Sequence, residues 1–327
     1  MTAPPPGLAG AGDAERPRAG VSRPGGGLLE AEDVGVAAQL ACLLEASAPK
    51  PGNVSPGRHF RDARYEEFLA SAAAVGPAMS GAGGRPLGET VRLAVETTAR
   101  WTRSNTNLGI VLLLAPLARA ALTSGRGGPW PRAELRATVR AVLDGTTVGD
   151  ARDVYAAIRL AAPGGLGRAE AQDVATEPTV TLAEAMRLAA DRDGVAREYA
   201  TAFATTFELA APALERALGD GLPWDDAVVE LYLTLLAAAP DTHVARRAGP
   251  ALAGEVARRA RAAVKAGGVR SAAGRVAVAE LDRALRDERN RANPGTTADL
   301  TAAAAFVVLL GGAWHSFSEG GGHGAAR

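Results

Sequence analysis

Five short polar segments carry most of the side chains in this sequence that could handle phosphate, sugar or proton chemistry. The first runs from Glu45 to Asp62 and gathers Lys50, Arg58, His59 and Arg61 around Gly52, Asn53, Ser55 and Gly57. Mobile cations, free backbone N–H groups and little side-chain bulk are what a polyphosphate requires of a loop. The GxxxxGK[ST] spacing is missing, so this is no Walker A motif. A rigid connection in which Asp62 caps a helix starting near Ala63 accounts for the same residues. The second segment, from Arg103 to Gly109, places Asn105, Thr106 and Asn107 before the very apolar Ile110–Leu114. Amides and helix N–H groups there suit an anion or a ribose, and plain capping is the alternative.

The third segment holds Asp150 and Asp153, three apart on one helix face, followed by the glycine-rich stretch from Pro163 to Val174. Such a pair can hold a hard cation such as Mg²⁺, or can be an acidic first turn favoured by the helix dipole. In the fourth, Asp241 offers a further Mg²⁺ ligand and Arg246 and Arg247 a phosphate clamp, with His243 between them. There the alternative is Asp241 as a cap, the arginines as a solvated face and His243 as a structural hydrogen-bonder. The fifth, Asn293-Pro-Gly295-Thr296-Thr297-Ala-Asp299, opens the terminal apolar stretch. A cap explains one threonine but not an Asp just inside so apolar a helix, so function is the better reading here.

Helices must position these segments. Aromatic residues are only 4% of the chain and β-branched runs are few, which argues against strands. Apolar residues recur at helical spacing instead: Val34, Ala38, Ala41, Cys42 and Leu44; Val91, Val95, Thr98 and Trp101; Val228, Leu231, Leu235 and Ala238. Pro and Gly clusters at 49–57, 125–131, 163–167 and 293–295 separate them. The expectation is an all-α, compact single-domain bundle of about ten helices, with Pro116 bending one of them. No heptad persists and no repeat of solenoid type is present. The catalytic domain is expected over 28–318, between a Pro/Gly-rich disordered tail at 1–27 and a second tail at 319–327 that includes His323.

Composition removes several function classes. Lys+Arg and Asp+Glu both number 36, so the net charge is zero and the basic face of a nucleic-acid binder is not expected. Cys42, the single cysteine, excludes an internal disulfide or a multi-cysteine metal cluster, and it lies mid-helix as inert core. No apolar run approaches the roughly 18 residues of a membrane span, and the amino end is unlike a signal peptide. A cytoplasmic protein is expected, and Ala-rich helix faces permit a homodimer.

Taken in order, the segments resemble the triphosphoribosyl-dephospho-CoA synthase family. Lys50-Pro-Gly52-Asn53-Val is similar to its PKPG[LN]V signature, with His59 and Asp62 in the places of a following His and Asp, and Phe68 and Ser71 as its F-x-x-S. Asn105-Thr106-Asn107-Leu108-Gly109 resembles N-T-H-K-G, and Gly165–Val174 a diverged Gly-Ala-Arg-Gly-Glu-Ala loop. Asp241-Thr242 with Arg246 and Gly249 resembles D-T-x-x-x-R-x-G-G, and 293–300 resembles S-P-G-G-S-A-D-L. The resemblance spans about 34 to 312.

This resemblance implies transfer of the 5-triphosphoribosyl group of ATP to 3′-dephospho-CoA, with release of adenine, giving a prosthetic-group precursor for an acyl-carrier protein pathway. It implies Lys50, Arg58, Arg246 and Arg247 on phosphates, with Gly52, Asn53, Asn105, Thr106, Asn107, Gly109, Gly295, Thr296 and Thr297 completing the nucleotide site. Asp150, Asp153, Asp241 or Asp299 would hold Mg²⁺, and His59, Asp62 or Asp150 would be the base. Asn107-Leu108 in place of His-Lys removes an imidazole and a cation, the latter worth roughly 1.5–3 kcal/mol as a phosphate contact. His59 and Asp62 also stand one residue further apart than in the citrate-lyase enzymes. A diverged member with another acceptor, and a helical nucleotide-binding protein without turnover, are the alternatives. Either enzyme reading requires the five segments to meet in one cleft.

Overall fold

The computed structural model describes residues 30–125, 128–287 and 289–314, so both expected tails lie outside the described residues. Fourteen α-helices and no strand occur among the described residues. The all-α expectation holds, while the expected count of about ten was low. Three of the helices, α7 (Leu182–Ala189), α8 (Gly194–Ala200) and α11 (Thr242–Ala248), span two turns or so, too short to show a period in sequence.

Two helices form the axis of the core. They are α4 (Leu108–Thr123) and α14 (Gly295–Leu310), both apolar on nearly every side and buried along most of their length. A helix apolar all round can be stable only when enclosed, and the remaining helices enclose these two. α4 continues unbroken through Pro116. α1 (Ala31–Ser47) and α10 (Trp224–Ala238) pack directly on α14, while α2 (Tyr65–Ser80) and α3 (Leu87–Ala99) follow α1 and reach α4. α5 (Arg132–Asp144) lies against α4, and α6 (Val148–Ala161) crosses α3. A π-helical turn at Thr205–Ala210 leads into α9 (Ala211–Gly219), and α12 (Pro250–Lys265) and α13 (Ala272–Leu285) complete the bundle. One continuous cluster of buried apolar side chains runs from Val34 to Ala313.

Buried polar bonds fix the elements that bear the polar segments. Tyr199 on α8 donates its hydroxyl to the Leu112 carbonyl on α4 at 2.7 Å. Tyr232 on α10 donates to the Pro51 carbonyl at 3.0 Å, seating the loop between α1 and α2 on the core. Among the described residues no helix is long and apolar enough to cross a membrane.

Candidate active site

The amino ends of α4 and α14 open onto one cleft of about 1140 Å³, and glycines let side chains close over both ends. At Gly109, in the first turn of α4, an added Cβ would run into the Asp299 carboxylate. At Gly295, the first residue of α14, it would run into Nδ1 of His243. At Gly194, opening α8, it would meet the methyl of Thr296 at 2.7 Å. Thr296 and Thr242 pair their hydroxyls at 3.0 Å, and the Thr242 oxygen accepts from the Gly194 N–H at 3.0 Å. Three helix starts are thereby drawn together beside one carboxylate and one imidazole.

The walls combine cations and carboxylates. Arg246 is held at 2.9 Å by Asp193, which also caps α8, and its Nε is buried with no protein acceptor. Arg247 donates to the Arg289 carbonyl, and Arg103 and Arg192 are exposed at the rim. Glu45 reaches the cleft from α1, paired at 3.0 Å with the fully buried Lys50. Burial pushes the Asp299 carboxyl well above the usual range, reinforced by the charges of Glu45, Asp241 and Asp193. Burial, with the charges of Arg246 and Arg247, pushes His243 down to about 3, so its imidazole is neutral at physiological pH.

All five polar segments contribute to this cleft, though not through every residue expected of them. Asn53, Asp62, Asn105, Thr106, Asn107, Gly109, Arg246, Arg247, Gly295, Thr296 and Asp299 line it. Asn53 donates to Asn293 across the cleft wall at 3.1 Å, Asn105 caps α4 through the Leu108 N–H, and Asn107 donates to Thr98.

Lys50, Gly52, Arg58, His59, Asp150, Asp153, Asp241 and Thr297 are outside the lining. Lys50, expected on phosphate, is turned away from the cleft, its ammonium enclosed by the Glu45 carboxylate and the Glu45 and Ala48 carbonyls. Burial pushes its pKa down, and Glu45 counteracts that. Gly52 N–H and Arg58 both bind Asp282 on α13, at 2.8 and 2.6 Å. His59 accepts the Tyr65 N–H at 3.1 Å, so the start of α2 is satisfied by His59 and not by Asp62. Asp150 accepts from Thr147 N–H, Thr147 hydroxyl and the Gly88 N–H, which caps α6 and ties it to α3. Asp153 pairs with Arg92 at 2.9 Å. Asp241 caps α11 and accepts the N–H and hydroxyl of Thr297, both at 2.7 Å. Asp150 and Asp153, expected as a metal pair, are thus each engaged by protein partners, and among the described residues no three His, Cys, Asp or Glu side chains form a metal cage.

Several lining residues escaped the sequence. Glu45 had a signal: a carboxylate on the same helix face as Ala38, Ala41 and Cys42 is costly to bury without a role. Asp193 and Arg192 had none, since Asp-Gly before a short helix reads as an ordinary cap. The glycine-rich loop after α6 is held by Tyr155, which donates to the Gln172 carbonyl at 2.6 Å, and by Asp173, which accepts the Ala169 and Ala175 N–H groups.

Comparison with known proteins bears on this site. The family model described as CitG, ATP:dephospho-CoA triphosphoribosyl transferase, matches residues 31–317. A solved structure from Archaeoglobus fulgidus, described as a triphosphoribosyl-dephospho-CoA synthase, is similar at 32% identity, with a TM-score of 0.60, covering 76% of this chain and 99% of that one. No curated protein matches.

Proposed function

This chain belongs to the ATP:dephospho-CoA triphosphoribosyl transferase family, and from that premise we propose that the cleft between α4 and α14 is where the transfer takes place. The enzyme moves the 5-triphosphoribosyl group of ATP to 3′-dephospho-CoA and releases adenine. One observation carries the assignment of the site: segments separated by up to about 250 residues meet at a single cleft lined by both carboxylates and arginines.

The chemistry sets the tasks. The bond from C1 of the ATP ribose to adenine breaks, its electron pair leaving with the base, while an acceptor hydroxyl bonds to C1 and gives up its proton and the departing base takes one up to become adenine. The centre at C1 is cation-like midway, so nearby carboxylates stabilise it. Arg246, preorganised by Asp193 and carrying an unpartnered Nε, binds phosphate oxygens together with Arg247 and Arg103. Asp62 is the member of the expected catalytic set that lines the cleft, and we assign it the acceptor proton. His243, neutral, can contact the leaving base by hydrogen bonding without adding charge.

Mg²⁺ fits the donor set in a particular way. A triphosphate-bound Mg²⁺ takes most of its ligands from phosphate and water and one or two from protein carboxylates. The raised Asp299 carboxyl, crowded by three other acids, is the electrostatic situation that a cation relieves. Asp299 would hold the ion, with Asp193 beside it, and the ion would neutralise phosphate charge. The same reading places the enzyme in the cytoplasm, with its product passed on toward an acyl-carrier protein.

Incubation with ATP, Mg²⁺ and 3′-dephospho-CoA tests this, following free adenine and the mass of the adduct. Both together are expected. Adenine without a dephospho-CoA adduct would transfer the assignment to another acceptor, and no adenine from a protein that binds ATP would reduce it to a nucleotide-binding role.

A further inference from the structure

Both substrates of this reaction present an adenosine joined to 5′-phosphates, so phosphate and ribose contacts alone cannot tell the acceptor from a second ATP. What separates them is the pantetheine arm, with its geminal methyls and methylene units. The cleft has one stretch of surface suited to that arm. Eight large apolar side chains are exposed among the described residues, and three of them, Leu160, Leu166 and Leu188, line this cleft at 50%, 42% and 54% exposure. A single exposed leucine is ordinary, whereas three lining one cleft mark a binding surface.

Their placement is built into the chain. α6 and α7 share their start, where the Leu182 N–H donates to the Thr147 carbonyl at 3.2 Å and the Ala183 N–H to the Thr146 hydroxyl at 3.1 Å. Leu160 and Leu188 each stand one residue before the end of their helix, and Leu166 lies on the loop that joins the two helices. That loop is pinned to α6 by Tyr155 and by Arg159, which donates to the Val174 carbonyl at 2.7 Å. The leucines are therefore presented by bonded segments of backbone, and their side chains face the cleft rather than the core.

We propose that Leu160, Leu166 and Leu188 form the acceptor-selecting lip of the site, receiving the pantetheine arm of dephospho-CoA, while Arg246 and Arg247, which pack beside Gly165 of the same loop, hold the triphosphate of ATP. This rests on the transferase reading above. The leucines position the acceptor and take no part in bond making, and a molecule that ends at the adenosine diphosphate gains nothing from them.

The full chain and its Leu166→Ser/Leu188→Ser variant, which removes the apolar surface without adding charge beside Arg246 and Arg247, test the proposal at saturating ATP, with dephospho-CoA and with ADP as acceptors. ADP keeps the adenosine diphosphate and lacks the arm. Wild type is expected to favour dephospho-CoA by at least 10-fold in kcat/KM. The variant should lose most of that preference through a higher KM for dephospho-CoA, with the KM for ATP unchanged. Leu160→Ser alone should shift it in the same direction. A variant that keeps the preference, or whose KM for ATP rises in step, overturns the lip. If wild type releases no adenine with either acceptor, the reaction fails first, and calorimetric titration then decides the lip separately. A gap in affinity between dephospho-CoA and ADP that the variant closes supports it, and equal affinities in wild type refute it.

Discussion

Gly109 is where one added carbon would disturb the chemistry most directly. The Asp299 carboxylate occupies the space a side chain would need, beside the positive end of α4. Gly109→Ala should displace the whole Asp299 side chain, because its Cγ as well as its oxygens lies where the methyl would go, a cost offset in part by the helix preference of Ala over Gly, about 1 kcal/mol. Misplacement by about an ångström is worth about 10²-fold in rate. Adenine release should fall by at least 10-fold while the thermal midpoint moves only a few degrees, and an unimpaired variant would remove Asp299 from the reaction. His243 supports a different expectation. Burial and the two neighbouring arginines put its folded pKa near 3, against an ordinary value of 6.5. Between those values the unfolded chain binds the proton and the folded chain does not, so acidification favours unfolding. Stability should be lost as pH falls from 6.5 to 3, by at most about 1.4 kcal/mol per pH unit. Asp241 and Asp299, with raised carboxyl pKa values, tilt stability the opposite way as pH rises, so the difference between wild type and His243→Gln isolates the imidazole. Denaturant titrations at several pH values should show a shallower acid slope in the variant, and parallel curves would contradict the burial of His243.

At the scale of helices, Asp150 shows what periodicity could and could not reveal. Asp150 and Asp153 do share a face, as their spacing predicts, but Asp153 is taken up by Arg92 and Asp150 by the start of its own helix. The signal was present: Thr147-Val-Gly-Asp150 is a capping box, with Thr147 accepting the Asp150 N–H at 3.1 Å. Invisible in the sequence was the second partner, the Gly88 N–H on α3, where an added Cβ would collide with the Asp150 backbone. Asp150→Asn should therefore cost about 1–2 kcal/mol of stability, as lost caps do. Because Asp150 is outside the cleft, turnover and both KM values should stay within about twofold of wild type. If turnover instead fell by two orders of magnitude with stability unchanged, Asp150 would return to the catalytic set. The long amphipathic or apolar helices, α1, α4, α10 and α14, were legible from their apolar spacing and Pro/Gly borders. The short helices around the cleft were not, since one or two turns cannot display a period; α11, which carries His243, Arg246 and Arg247, was signalled only by Asp241 as its cap.

For the molecule as a whole, the order of the five polar segments could be read from the chain, but their meeting point could not. Which helix ends face each other depends on packing around α4 and α14, and apolar periodicity says which face is buried without saying against what. The ion pair between Glu45 and Lys50 illustrates this: two charges five residues apart in a presumed phosphate loop turn inward and only the carboxylate reaches the cleft. Since the cleft draws on residues from Glu45 to Asp299, a bound nucleotide touches both halves of the chain and should stabilise it as one unit. ATP with Mg²⁺ at about 100 times its Kd should add about 2.7 kcal/mol to unfolding, in a single transition. Chelating Mg²⁺ should remove part of that gain in wild type. In Asp299→Asn, where the charge that attracts the cation is gone, the gain should be smaller and indifferent to chelation. A variant whose ATP stabilisation still depends on Mg²⁺ as strongly as wild type would show that the cation is held elsewhere, and the acidic crowding around Asp299 would then need a protonated carboxyl to explain it.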